Sequence, residues 1–293
     1  MNRSRFQMAI PQIARFFNSL PGKIHRRTDL SGHLSQQRID WRLSEPTTTQ
    51  KFIELLIESD RLVRIDFPFP APYKRETRYV WGKVSIFEVM QTIKPHCYFS
   101  HGTAAKFHRL IGPAPKNTYL TVEQLNSSIS SGEMDQTSID RAFQGKPRVS
   151  TNLANSKDVC VCIVAGRNTG NLGVVESAVI PGAKPLRLTN LERTLIDIAV
   201  RPIYAGGVFE VVKAFELAKD KLSVNALTTM LKNLKYIYPY HQAVGFYLER
   251  AGYKSDEMDL LRKLPMNFDF YLAHKMGETT FIKSWRLHVP KGI

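Results

Sequence analysis

The chain has 293 residues, enough for about two domains of ordinary size, and 43% of them are apolar, so each domain has material for a core. Lysine and arginine number 41 against 26 acidic residues, a net charge of +15 that favours a polyanionic partner and makes nucleic acid the first candidate. Three cysteines are too few for a disulfide framework and point to a reducing compartment, the cytoplasm, and no apolar run approaches the roughly 18 residues of a membrane span.

The chain divides near Pro95. Residues 1–95 hold 16 basic and 9 acidic residues and residues 96–293 hold 25 and 17, so excess positive charge is roughly twice as dense in the first third. Ile10, Ile13, Ala14 and Phe17 recur at helical spacing and predict a first core helix over Ile10–Phe17, a better reading than an Arg-bearing transit peptide. The basic linker Lys23-Ile24-His25-Arg26-Arg27 follows. Thr28 stands where it can cap a helix running toward Trp41, and Pro46 where it can start the next one. That next helix is Thr47–Ser59, with Phe52, Leu55, Leu56 and Ser59 on one face. Arg61–Asp66 and Arg78–Trp81 read as two strands around the basic loop Tyr73-Lys74-Arg75-Glu76-Thr77, with Pro68, Pro70 and Pro72 stiffening the connection.

A short helix feeding a basic two-stranded ribbon is the plan of a winged helix-turn-helix, which puts a helix in the major groove and a wing on the backbone. The candidate DNA contacts are Thr47, Thr48, Thr49, Gln50 and Lys51 at the N-terminal end of the helix, where glutamine can pair in a bidentate way with adenine. Arg61, Arg64, Lys74, Arg75 and Arg78 around the wing are phosphate candidates, joined by Arg26 and Arg27 of the linker.

Past Pro95 the pattern changes. Ile86, Val89 and Met90 suggest a short helix before the boundary, and Ser100 can cap a helix His101–Leu110 whose Ala104, Phe107, His108 and Ile111 form a buried stripe, making His108 a core histidine. Residues 118–122 read as a strand and 124–150 as a polar connection with a short helix at Ser138–Phe143. Asp158–Val164 and Leu172–Ile180 read as a β-hairpin with a long turn, Cys160 and Cys162 being small hydrophobes on one strand face. Thr189-Asn190-Leu191-Glu192 is a capping box for a helix with Leu191, Leu195 and Ile198 inward, stopped by Pro202. Further helices fit Val208–Lys219, Val224–Leu234 and Pro239–Ala251, and two strands, Phe268–Leu272 and Trp285–Val289, close the chain across Gly277. The expected class is α+β: an N-terminal winged helix-turn-helix over 1–95, then a mixed α/β domain over 96–293 with a β-hairpin and a helical bundle portion.

Nothing catalytic stands out. There is no G-x-S-x-G, no H-E-x-x-H, no kinase signature and no phosphate loop. Glu176, with Glu192, Asp197 and Lys184 nearby in sequence, is the one arrangement that suggests a metal-dependent nuclease, yet Glu192 is explained by capping and Arg193 with Asp197 by an ordinary i, i+4 pair. His101 and His108 are seven apart with no third ligand type beside them. No catalytic residue, cofactor or metal is expected.

Two stretches carry a resemblance. Ser100-His101-Gly102-Thr103-Ala104-Ala105-Lys106-Phe107-His108-Arg109-Leu110 and Leu188-Thr189-Asn190-Leu191-Glu192-Arg193-Thr194-Leu195-Ile196-Asp197, with the N-terminal pattern, resemble the AbiEi family over roughly residues 10–250. The closing Trp285–Gly292 looks like the tail of longer members. Members are antitoxins and transcriptional regulators of bacterial type IV toxin–antitoxin systems. The resemblance implies a winged-helix domain that represses its own operon at inverted repeats in double-stranded DNA. It also implies a larger C-terminal domain that counteracts a cognate nucleotidyltransferase toxin. The long linker Lys23–Thr28 and the Pro-rich wing depart from shorter members.

Overall fold

The computed structural model describes residues 3–112, 116–124, 134–156 and 159–293, and shows a mixed α+β chain of two units. The first is Met1–Pro95 with the short segments Ala154–Asp158 and Ile180–Lys184; the second is the remainder. Most of the polar connection read over 124–150 up to residue 133, and the strand start read at Asp158, lie outside the described residues.

In the first unit, α1 (Arg3–Ser19), β1 (Ile24–His25), α2 (Arg27–Gln37), α3 (Thr49–Glu58), β2 (Leu62–Phe67), β3 (Glu76–Trp81) and α4 (Ile86–Gln91) follow in order. Phe6, Ala9, Ile13 and Phe17 form the buried stripe of α1, so the helix begins well before Ile10. Its Phe17 ring stacks on Trp81 at 4.7 Å, and Trp41 stacks on Phe52 of α3 at 5.6 Å. Each fully buried ring of this kind is worth about 1.5–3 kcal/mol over leaving it in water. The sheet runs β1-β3-β2, antiparallel throughout, with Leu62 opposite Trp81 and Phe67 opposite Glu76.

Two helix starts differ from the sequence reading. Thr28 lies inside the first turn of α2, and the Asp29 carboxylate accepts the Arg26 backbone N–H at 2.7 Å instead, because an acid at the third helical position reaches back better than a threonine already inside the helix. Pro46 lies in the turn before α3, whose cap is Thr48: its hydroxyl accepts the Lys51 N–H at 3.2 Å. The α2–α3 connection is held by Arg38, whose guanidinium donates to the carbonyls of Ser44, Glu45 and Thr47 at 2.8, 3.0 and 2.9 Å.

The chain continues with β4 (Tyr98–Phe99), α5 (His101–Phe107), β5 (Thr118–Gln124), α6 (Gln136–Gln144), β6 (Leu153–Ser156), β7 (Val159–Arg167), β8 (Val174–Ser177) and β9 (Leu186–Thr189), all in the second unit except β6, which from Ala154 on belongs to the first. Within the second unit the sheet has the order β7-β5-β4-β9-β8. This overturns the expected hairpin: β7 runs parallel to β5, with Tyr119 opposite Cys162, while β8 pairs antiparallel with β9, with Glu176 opposite Arg187. The unbroken run Val161–Val164 is buried, as in a central parallel strand covered on both faces, and such a strand takes its parallel partner from distant sequence.

Four helices then form the bundle: α7 (Leu191–Val200), α8 (Val208–Ala218), α9 (Val224–Leu234) and α10 (Tyr240–Arg250), with the short α11 (Asp259–Arg262) after them. Leu195, Ile198, Val211, Phe215, Leu227, Val244 and Tyr247 are fully enclosed among them. The cap of α7 is Asn190, whose side chain accepts the Arg193 N–H at 2.9 Å; Thr189 is pulled inward, 2.7 Å from the Thr194 hydroxyl. The final sheet is β10 (Phe270–Tyr271), β11 (Thr279–Ile282) and β12 (Leu287–Pro290). β12 lies parallel to β10 and antiparallel to β11, and Trp285 sits in a 3-10 turn rather than in a strand.

Candidate functional site

The sequence-predicted contacts separate by burial. Thr47 is buried, with its hydroxyl 3.1 Å from that of Ser44, and so belongs to the connection that holds α3 rather than to a surface. Arg78 is buried too. Its Nε donates to the Thr92 hydroxyl at 2.9 Å, its Nη2 to the Thr92 carbonyl at 2.6 Å, and its Nη1 to Glu76 at 3.1 Å. The guanidinium therefore ties β3 to the end of α4 and is not available to a phosphate. Burial works against the charge on Glu76, but hydrogen bonds from Lys94 and Arg78 outweigh it and hold the carboxyl below the usual carboxylate range.

The remaining candidates form an exposed set. Thr48 is spent as a cap, and Thr49, half-buried, lies 3.1 Å from the Ser31 hydroxyl. Gln50 and Lys51 stand exposed in the first turn of α3. Gln50 receives a hydrogen bond from Arg27 at 3.1 Å and gives one to Glu54 at 2.9 Å, so both ends of its amide are oriented before any ligand arrives. Lys51 is 3.8 Å from Glu54, a loose surface pair. Arg26, Arg61, Lys74 and Arg75 are exposed, and none of their side chains has an ion-pair partner among the described residues. Arg64 is exposed but paired with Asp66 at 3.0 Å, which also accepts from Thr77. The structure thus brings Arg27 to Gln50 and leaves Lys74 and Arg75 together in the loop between β2 and β3.

No protein-family model and no curated protein matches the chain. Among solved structures the chain is similar to the crystal structure of the RV2827C protein from Mycobacterium tuberculosis. The TM-score is 0.60 at 14% identity, over 98% of this chain and 91% of that one. At this identity the likeness shows a shared α+β fold.

The two resemblance-bearing stretches are mostly interior. His101 opens α5 with φ +50°, its Nδ1 is 2.8 Å from the Ser100 hydroxyl, and burial pushes its pKa down to about 4. His101, not the half-buried His108, is therefore the enclosed histidine; His108 Nε2 meets the Thr189 carbonyl at 2.7 Å. Arg193 and Asp197 form the i, i+4 pair read from the sequence, buried and at 2.7 Å, and Arg193 also donates to the Leu172 carbonyl at 2.7 Å. The loop after β7 is fixed from the other side by Glu123, which accepts from the Thr169 and Asn171 backbone amides at 2.8 and 3.2 Å.

Glu176 is exposed on β8, and among the described residues no group of three or more His, Cys, Asp or Glu side chains could hold a metal ion. The cysteines are free, and burial raises the Cys162 thiol to about 11. Among the described residues no helix is long and apolar enough to cross a membrane.

Sequence reasoning missed Arg38 and Asp29, the two side chains that fix the start and the exit of α2. A carboxylate three residues after Arg26 was the available signal for Asp29; Arg38 carried none, because its partners are backbone carbonyls.

Proposed function

We propose that this protein is a non-enzymatic, DNA-binding autorepressor whose first unit acts as a winged helix-turn-helix, and that it is the antitoxin of a type IV toxin–antitoxin system. The observation that carries the first half is the order α1-β1-α2-α3-β2-β3 with β1 beside β3. In it α3 presents Gln50 and Lys51 at its exposed first turn and passes directly into a ribbon tipped by Lys74 and Arg75. In this reading α3 enters the major groove and the ribbon loop meets the backbone, with Arg26, Arg27, Arg61 and Arg64 as further phosphate contacts. The net charge of +15 supports a polyanionic partner.

Support for the antitoxin half is the AbiEi resemblance at Ser100–Leu110 and Leu188–Asp197. The partner is a nucleotidyltransferase encoded beside this gene, and the cytoplasm is the compartment in which both act. A regulator whose second unit senses a small molecule, with no toxin, is the second reading, favoured by a cavity in that unit. The gene neighbourhood separates the two.

The test is a salt-titrated binding assay against the duplex upstream of the protein's own gene, with scrambled duplex as control. Sequence-dependent binding with a steep salt slope, weakened in a Lys51→Ala, Arg75→Ala double variant, is the expected result, followed by rescue of growth on co-expression with the neighbouring toxin. Equal, weak binding to both duplexes removes the repressor reading.

A further inference from the structure

The second unit contains a cavity of about 690 Å³, within the range of about 300–1,000 Å³ typical of small-molecule sites. It is built by the end of α6 and the stretch after it, the α7–α8 connection, the residues leading into α10, and the segment after β10. None of this is used by the DNA reading, on which the inference does not depend.

Its walls are aromatic. Phe143 is buried, meets Tyr238 edge-on at 5.3 Å, and stacks on His274 at 4.3 Å with an interplanar angle of 12°. Tyr240 stands nearly perpendicular to Tyr238, at 6.2 Å. Phe143 is also stacked by Tyr271 at 5.7 Å and so backs the wall, which leaves the half-buried Tyr238 and Tyr240 as the flat rings that can accept a planar group by stacking or edge contact.

The charge on the lining is of one sign. Lys146, Arg148 and Arg201 contribute to it, and no carboxylate does. The side chains of the three cations have no ion pair or hydrogen bond among the described residues; the half-buried Arg201 guanidinium lies over the Tyr204 ring at 5.7 Å. Burial pushes the His274 pKa below its ordinary value, and the Ala142 carbonyl, 3.0 Å from its Nδ1, offsets only part of that. A half-buried guanidinium beside apolar walls with no counterion is costly alone and favourable once an anion arrives. Three cations suit a doubly charged group better than a single carboxylate, and the arginine fork matches phosphate oxygens in pairs.

We infer that this cavity binds a nucleoside monophosphate, its base against Tyr238 and Tyr240 and its phosphate toward Lys146, Arg148 and Arg201. The ring walls and the cations are both needed, so neither half of the ligand binds comparably alone.

The experiment is calorimetric titration of the full chain with AMP, GMP, CMP and UMP, and separately with inorganic phosphate and the four nucleosides. At least one nucleotide is expected to bind more tightly than phosphate and than its nucleoside. Arg148→Ala, an exposed change that leaves the fold alone, is expected to weaken that nucleotide by roughly tenfold, the loss of one charge-assisted contact, and Arg201→Gln by at least as much. Tyr238→Leu is expected to weaken the nucleotide while leaving phosphate unchanged. No heat with any nucleotide at millimolar concentration overturns the inference. So does equal affinity for phosphate and nucleotide, or nucleotide binding indifferent to Arg148→Ala and Tyr238→Leu.

Discussion

Arg27 Nη1 donates a hydrogen bond to Gln50 Oε1 at 3.1 Å, joining the first residue of α2 to the first turn of α3. With Glu54 accepting from the other end of the amide, Gln50 is presented in one orientation. In the proposed DNA interface, a glutamine held in this way loses little side-chain freedom on binding, but must exchange both contacts for base edges.

Gln50→Ala is therefore expected to cost about 1–3 kcal/mol of operator affinity while leaving binding to scrambled duplex and the salt slope unchanged. Lys51→Ala or Arg75→Ala, by contrast, should weaken both duplexes alike and reduce the salt slope by about 1 each. Fluorescence anisotropy across a salt series measures both quantities.

Arg78 and Arg64 have the same side chain on neighbouring strands and should behave oppositely. Arg78→Met is expected to destabilise the protein by about 3–5 kcal/mol, because Glu76 and the Thr92 and Ile93 carbonyls lose a buried partner. Arg64→Met, breaking only an exposed pair with Asp66, should cost less than about 1 kcal/mol. Urea unfolding of the two variants gives the comparison, and a stable Arg78→Met would remove the clamp assigned to that residue.

Gly245 faces Trp285 so closely that an added Cβ falls 2.2 Å from the indole ring. Trp285 is fully buried and donates its indole N–H to Glu249, so it cannot step aside. Gly245→Ala should lower stability by about 1–3 kcal/mol through overpacking, even though alanine is the better helix former. A thermal melt at neutral pH would register a fall in Tm of several degrees.

Acid should weaken the second unit through His101 and His241. Burial pushes both down to about 4 from an unfolded value of 6.5, so between these limits the unfolded chain binds protons that the folded chain refuses. The stability is intact above pH 6.5 and is lost as pH falls toward 4. His101→Asn, which tolerates the positive φ without titrating, should flatten part of this dependence in melts at pH 7.5, 6.5, 5.5 and 4.5.

Local periodicity made much of the fold legible. Val224–Leu234 is a helix over the residues its apolar spacing marks, and α3 starts two residues from the expected position, at a threonine cap. Strand partners were not legible in the same way. Val159–Val164 is recognisable as a strand, but its neighbour is Thr118–Gln124 rather than the segment across the next turn, and nothing local records that choice. The candidate interface divides similarly. Gln50, Lys51, Lys74 and Arg75 are exposed as their composition suggests, whereas Arg78 looks like another wing cation until its partners near Thr92, distant in sequence, come into view.

Phe99 pairs with Leu120 on one side and with Leu188 on the other. During synthesis, then, β4 must wait for nearly ninety further residues before its second edge is covered, and the parallel pairing it waits for is of the slow, non-local kind. A chain released before Leu186 keeps that edge open, beside the buried aromatic pair Tyr98 and Phe99, and offers it to any other unfinished copy nearby. The order in which this sheet is assembled makes premature termination a route to aggregation rather than to a smaller soluble product.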